Sequence, residues 1–276
     1  MKCSMNETRS LLVHLDAGPH SASRLQAARA LGGLLGADVT ALYTVIPASV
    51  ETPLLFAAGV ANQMLLDLDE TRVARARVLV KSVSAEPGVP IEWRQALEAP
   101  EYAFARQALY ADLLVLGQHD RDQRDTGVPT DFVQSVLIDS GKPALVVPYI
   151  GLRAPGFGRV FVAWKESCES ARALAAALPI LRRAHTVQVA VDAAAGTHTD
   201  LLPGYLQRHG VQAQYHTMAV DAGSQAGELM LSMAADFNAD LMVMGCYGHS
   251  RGRELVLGGA SRTVLQSMTL PVLMSH

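Results

Sequence analysis

The sequence predicts an α/β protein built as a tandem duplication of two doubly wound units. Each unit is an open parallel five-stranded sheet with helices on both faces. Three observations carry this reading. First, Ala111-Asp112-Leu113-Leu114-Val115-Leu116-Gly117 and Ala239-Asp240-Leu241-Met242-Val243-Met244-Gly245 share a pattern 128 positions apart, and the same offset pairs Val136-Leu137 with Val264-Leu265 and Pro143 with Pro271. Second, the hydrophobic period alternates between strand and helix along both copies. Third, the strands are apolar along their whole length, as strands covered on both faces are.

In the first copy Ser10–Leu15 is a short apolar run and reads as a strand. Ala22–Leu35 follows with apolar residues at helical spacing, and Val39–Val45 is rich in β-formers. Asp67–Ser84 is a long amphipathic helix. Its Arg72, Arg75 and Arg77 share a polar side with Asp67, Asp69 and Glu70, so a solvated face is expected. Ile91–Gln95 reads as a strand, Pro100–Tyr110 as a helix, Asp112–Gly117 as a strand, Phe132–Asp139 as a helix and Ala144–Pro148 as the last strand. The second copy repeats the order with Arg159–Trp164, Cys168–Ala184, Thr186–Val191, Thr199–His209, Ala213–Met218, Ser224–Phe237, Asp240–Gly245, Ser261–Ser267 and Pro271–Met274. The glycines and prolines of the stretch from Ile150 to Gly158 read as a joint, which places domains at 1–150 and 156–276.

Composition narrows the function. Half of the 276 residues are hydrophobic and 18% are charged, enough apolar material for a packed core. A net charge of −3 argues against a nucleic-acid binder. Residues 1–150 carry −4 and the remainder +1, so the second half is the better host for an anionic ligand. Cys3, Cys168 and Cys246 form no CxxC pair and read as reduced thiols. The start of the chain shows no signal-peptide core, and no apolar run approaches the roughly 18 residues of a membrane span. The expectation is a cytoplasmic protein without a membrane partner.

In doubly wound folds ligands lie outside the carboxyl ends of the strands, which points to the residues after Leu15, Trp164, Gly117 and Gly245. After the fourth strand of the second copy the glycines Gly245, Gly248, Gly258 and Gly259 fall in a G-x2-G-x9-G-G arrangement. Glycines let backbone approach a ligand closely, and the turn leads to the start of the helix at Ser261, where free N–H groups favour phosphate. On geometry alone the loop reads equally well as a tight chain reversal.

The duplicated architecture, this loop and the Pro-Val-Leu final strand resemble the universal stress protein family, and the whole chain resembles a tandem two-domain member. The fold this implies is Rossmann-like, of the adenine-nucleotide-hydrolase type. The family includes members that bind ATP or another adenine nucleotide and members that do not. In the binders the loop glycines and a following Ser or Thr hold phosphates, and an acid ending strand one lies near the nucleoside. Carried over, Gly245, Gly248 and Gly258 are the phosphate-loop glycines. Gly259 stands at the Ser/Thr position, Ser261 is a substitute hydroxyl or an N-cap, and His249 is a minor contact or exposed loop polar. The strand-one acid is replaced by Lys165 and then Glu166. Lys165 is a phosphate cation or a solvated surface residue. The first copy fails oppositely: Asp16 ends strand one, but Asp120 stands where the second glycine belongs, and Thr130 and Asp131 replace the glycine pair. Its acids repel phosphate.

The resemblance implies a stress-response regulator that binds ATP or AMP in the second half, with Mg²⁺ accompanying only a triphosphate, and acts by binding rather than turnover. A ligand-independent interaction module with both sites lost is the alternative. Slow ATP hydrolysis would have only His249 as a candidate. Gly248-His249-Ser250-Arg251-Gly252 fits the esterase elbow G-x-S-x-G, but only Glu254 and His276 follow the serine as triad partners. No zinc or H-E-x-x-H spacing appears. The resemblance also implies that last strands pair across domain interfaces: Ala144–Pro148 and Pro271–Met274 are apolar and suit an antiparallel contact, which would make the chain an intramolecular pseudo-dimer with its leftover edges free for a homodimer.

Overall fold

The computed structural model describes residues 8–51, 62–96, 99–120, 122–123, 126–152, 156–192, 201–218, 226–247 and 259–276. The first half runs β1 (Ser10–Leu15), α1 (Ser21–Leu35), β2 (Asp38–Tyr43), α2 (Ala48–Glu51), α3 (Asn62–Ala85), β3 (Ile91–Gln95), α4 (Pro100–Ala108), β4 (Leu113–Gly117), α5 (Phe132–Ser140) and β5 (Ala144–Val147). The second runs β6 (Arg159–Trp164), α6 (Cys168–Leu181), β7 (Thr186–Asp192), α7 (Leu201–Arg208), β8 (Gln214–Met218), α8 (Ala226–Asp236), β9 (Leu241–Gly245), α9 (Gly259–Ser267) and β10 (Val272–Ser275). The alternation expected from the sequence is present. The short helix α2, four residues with no usable period, is the element that periodicity missed.

The two five-stranded units share one ten-stranded sheet of order β3-β2-β1-β4-β5-β10-β9-β6-β7-β8. Every pairing is parallel except β5 with β10, which is antiparallel. Leu145 stands opposite Leu273, its own counterpart at the duplication offset of 128, with Ala144 opposite Met274 and Val146 opposite Val272. A strand that meets its own duplicate head to tail generates an internal two-fold, so the junction is isologous in the manner of a symmetric dimer. Helices cover both faces. On one, Leu145 and Leu273 join α1, α3, α6 and α7 side chains such as Leu25, Leu31, Val80, Leu174 and Leu206. On the other, Val146 and Val272 pack with Phe104, Leu137, Val264 and Met268.

The shared Ala-Asp-Leu pattern has a structural purpose. The Asp112 carboxylate accepts the N–H groups of Arg9 (2.9 Å) and Ser10 (3.0 Å) at the start of β1. Asp240 accepts those of Gly158 (3.0 Å) and Arg159 (3.0 Å) at the start of β6. In each half this acid pins the first strand beside the fourth and so fixes the crevice between their far ends.

Two expectations are corrected. Arg72 does not lie on a solvated face: it is 7% exposed and pairs with Glu51 (3.0 Å) and Asp69 (3.6 Å), tying α3 to α2, whereas Arg75 and Arg77 are exposed. Ser261 does not precede the last helix. That helix runs from Gly259, which puts Ser261 inside it, and the serine hydroxyl is engaged by another segment (below).

Leu145 and Leu273 are both fully buried at the junction. Leu145→Ala and Leu273→Ala are each expected to cost about 2–5 kcal/mol, with a double variant less costly than the sum because the two sites share one interface. Urea unfolding of the three variants measures both quantities.

Candidate functional site

The chain reverses its order across the sheet between β1 and β4 and again between β6 and β9, so each half opens a crevice at the carboxyl ends of those strands. The two crevices differ in what fills them.

In the first, β1 carries His14 into the core and ends at Asp16. The His14 ring is 1% exposed and packs against Phe104 (5.6 Å, edge-on) and Phe132 (4.2 Å). Its Nε2 donates to the Thr44 carbonyl at 3.0 Å, which fixes the neutral tautomer. Burial, reinforced by the nearby Arg24 charge, lowers its pKa to about 4. Asp16 is 5% exposed. One carboxylate oxygen accepts from the Gly18 N–H (2.7 Å) and the Ser21 hydroxyl (2.8 Å), and the other meets the Arg24 guanidinium at 2.7 Å. Burial alone would raise this carboxyl, but Arg24 and the hydrogen bonds outweigh it and hold the pKa at about 2. Gly117, ending β4, lies directly under Arg24, and a Cβ there would collide with the guanidinium. At the rim, Asp120 accepts the Asp122 N–H (3.0 Å) and meets His20 at 2.8 Å. The acid that replaces the second glycine is thus folded onto the start of α1.

In the second crevice Lys165 follows β6 and is exposed, as is Glu166. The Ser167 hydroxyl accepts the Ser170 N–H (3.2 Å) and caps α6. Gly245 ends β9 against that first turn: a Cβ would lie 2.5 Å from Ser170 N and 2.8 Å from the Glu169 carbonyl carbon, so only glycine fits. Beyond it, Tyr247 adopts a left-handed conformation (φ 58°), and its N–H donates to the buried Ser261 hydroxyl at 3.3 Å. Ser261 therefore ties the beginning of the loop to α9. Among the described residues nothing lies within 4 Å of where a Cβ on Gly259 would stand. Gly248, His249 and Gly258 lie outside the described residues, as does the whole Gly248–Gly252 motif. Cys246 is 1% exposed and burial pushes its thiol up to about 12, which makes it inert at neutral pH.

Sequence reasoning did not single out Arg24, Gln118, Glu169 or Arg172. Glu169 packs against Gly245, keeps its carboxyl below the usual range through its own N–H at the helix start, and pairs with the half-exposed Arg172 at 3.5 Å. A signal for Arg24 existed: setting β1–α1 against β6–α6, 149 positions on, aligns Asp16 with Lys165, Ser21 with Ser170 and Arg24 with Ala173. Gln118, buried, donates to the Leu265 carbonyl across the junction (3.0 Å) and accepts the Tyr149 N–H (3.1 Å). It lines a groove of about 740 Å³ that runs from Asp120 and Tyr149 in the first half to Tyr247 and Arg262 in the second.

Doubly wound halves of matching strand order, each with a crevice at its reversal point, define a tandem α/β fold. Residues 156–276 match the model of the universal stress protein family. The whole chain is similar in fold to a universal stress protein from Archaeoglobus fulgidus (TM-score 0.67, 16% identity, 96% of this chain and 94% of that one). It is likewise similar to a functionally unknown protein from Pseudomonas aeruginosa PAO1 (TM-score 0.60, 15% identity, 98% and 93%) and to a putative universal stress protein from Pseudomonas aeruginosa UCBPP-PA14 (TM-score 0.55, 15% identity, 98% and 94%). Nothing among the curated proteins matches. Among the described residues no helix is long and apolar enough to cross a membrane, and no group of three or more metal-ligating side chains could hold an ion.

The buried groups of the first crevice set an acid response. His14 has a folded pKa below its unfolded value, so its contribution is complete above about pH 6.5 and is lost as pH falls toward about 4. Asp16, also depressed, adds a second loss as pH falls from near 4 toward 2. The His14 step amounts to about 3 kcal/mol. His14→Gln should flatten the upper limb and leave the lower one, as read by denaturant unfolding across pH.

Proposed function

We propose that the protein is a cytoplasmic stress-response regulator whose second half binds an adenine nucleotide, ATP or AMP, and which works through conformation or partner binding rather than turnover. The observation that carries this reading is Gly245: it ends β9 at the crevice, backed so closely by the first turn of α6 that no side chain fits. It opens the glycine loop within residues 156–276, the stretch matched by the family model.

The phosphates would lie on Gly245, Gly248, Gly258 and the amides at the start of α9, where free N–H groups favour anions. Lys165, exposed beside the crevice, and Arg172, on the adjoining helix, would add positive charge, and Mg²⁺ would accompany a triphosphate. The loop is tied through Tyr247 and Ser261 to α9, and α9 is tied through Leu265 to Gln118 of the first half. A ligand ordering the loop would therefore act on the shared groove, which gives binding a route to a change in shape. A homodimer would use the outer strands β3 and β8, which remain sheet edges. The ligand-independent reading finds its own support in the first half, where every Asp16 oxygen is engaged by the chain itself.

Protein purified without added nucleotide should release ATP, ADP or AMP on denaturation, read by anion exchange at 260 nm. Gly248→Asp, which writes the first loop's Asp120 into the second, should weaken binding at least about 100-fold, since a carboxylate within a few ångströms of phosphate repels it. Gly259→Ser, which adds a hydroxyl at the start of α9, should tighten it. An empty supernatant with no ATP-induced thermal shift overturns the nucleotide reading and leaves the interaction module.

A further inference from the structure

The strand order reverses once in each half and opens a crevice there, and the first crevice is full. Arg24 rises from the second turn of α1, 5% exposed, and lays its guanidinium between Asp16 at the end of β1 and Gly117 at the end of β4. That is the point where the strand order reverses and where ligands of this fold class lie. The guanidinium meets Asp16 at 2.7 Å and donates to the Ser21 hydroxyl at 2.6 Å, and Ser21 donates in turn to Asp16 at 2.8 Å. Donor and acceptors close on one another with both charged side chains 6–7% exposed.

Little space remains. The cavity beside Arg24 measures about 40 Å³. That is room for about three waters, against the several hundred Å³ of an ordinary small-molecule pocket. The Arg24 Nε, buried and without a partner, borders this residual space. At the rim the His20–Asp120 contact (2.8 Å) and Tyr149, whose ring centre lies 6.0 Å from that of His20, cover the entrance. The second half lacks the charged pair: Lys165 and Ala173 occupy the positions of Asp16 and Arg24, while Ser170 and Gly245 keep those of Ser21 and Gly117.

We propose that the first crevice is a guanidinium-binding site occupied by the chain's own Arg24. The first half carries its ligand covalently, as a side chain, and is thereby closed to anions and to nucleotides. Its preference is the inverse of the second half's, a buried carboxylate selecting a planar cation with several N–H donors. The inference is independent of nucleotide binding at the second crevice, because it concerns only residues of the first.

The test is Arg24→Ala in the full chain, with methylguanidinium chloride as the probe. Removing one partner of a buried pair should lower Tm by about 10 °C. Methylguanidinium at about 20 mM should restore about 3 °C or more in this variant, by filling the vacated space, and leave the unaltered protein unchanged. Equal NaCl should restore nothing, and Arg24→Ala combined with Asp16→Asn should lose the rescue. Should Arg24→Ala yield no folded protein, the refolding yield with and without methylguanidinium answers the same question: a raised yield supports the site. An unchanged Tm in Arg24→Ala, a folded variant that methylguanidinium does not stabilise, an unimproved refolding yield, or a rescue that persists without the Asp16 carboxylate each overturns it.

Discussion

The antiparallel pairing of β5 with β10 is the constraint on which the rest of the molecule depends. A single parallel five-stranded unit would leave its last strand as an open apolar edge, with Leu145 and Val146 exposed to any chain that could pair with them. Here that edge is closed by its own duplicate, Leu273 upon Leu145, and the cores on both faces of the sheet run through the junction. The pairing also brings the loop after β4 and the loop after β9 to the same groove. Were the halves joined along any other edge, β4 and β9 would be separated by more strands than β5 and β10.

Most of this arrangement was legible in the sequence. The 128-residue offset and the alternation of periods lead to a tandem doubly wound fold, and the antiparallel junction was expected from the family resemblance, with apolar last strands that suit it. They succeed because burial on both faces of a parallel strand, and along one stripe of a helix, writes a periodic signal into the chain. The short helix α2 and the burial of Arg72 were not legible. Both depend on partners brought in by tertiary folding: Glu51 of α2 meets Arg72 of α3 from 21 positions away.

The site was legible in its backbone and illegible in its side chains. Gly245 and Gly117 mark close approaches, and a glycine pattern reveals these directly. What approaches them does not follow from the pattern, since in one half it is the backbone of Ser170 and in the other the guanidinium of Arg24. Arg24 sits in an alanine-rich helix whose period reads as core packing, and its charge becomes intelligible only once Asp16 and Gly117 are beside it. Ser261 illustrates the same limit. Its position suggests a cap or a phosphate contact, and only the structure shows that its oxygen accepts the Tyr247 N–H.

The two halves are not equal across their junction. Gln118 reaches over it to the Leu265 carbonyl, while Cys246, the residue in the same place of the second half, carries a side chain too short to reach back. The duplicated frame is symmetric, yet this hydrogen bond comes from a side chain that its counterpart residue does not have. It couples α9 to the start of the loop that follows β4, so a displacement of either is felt by the other.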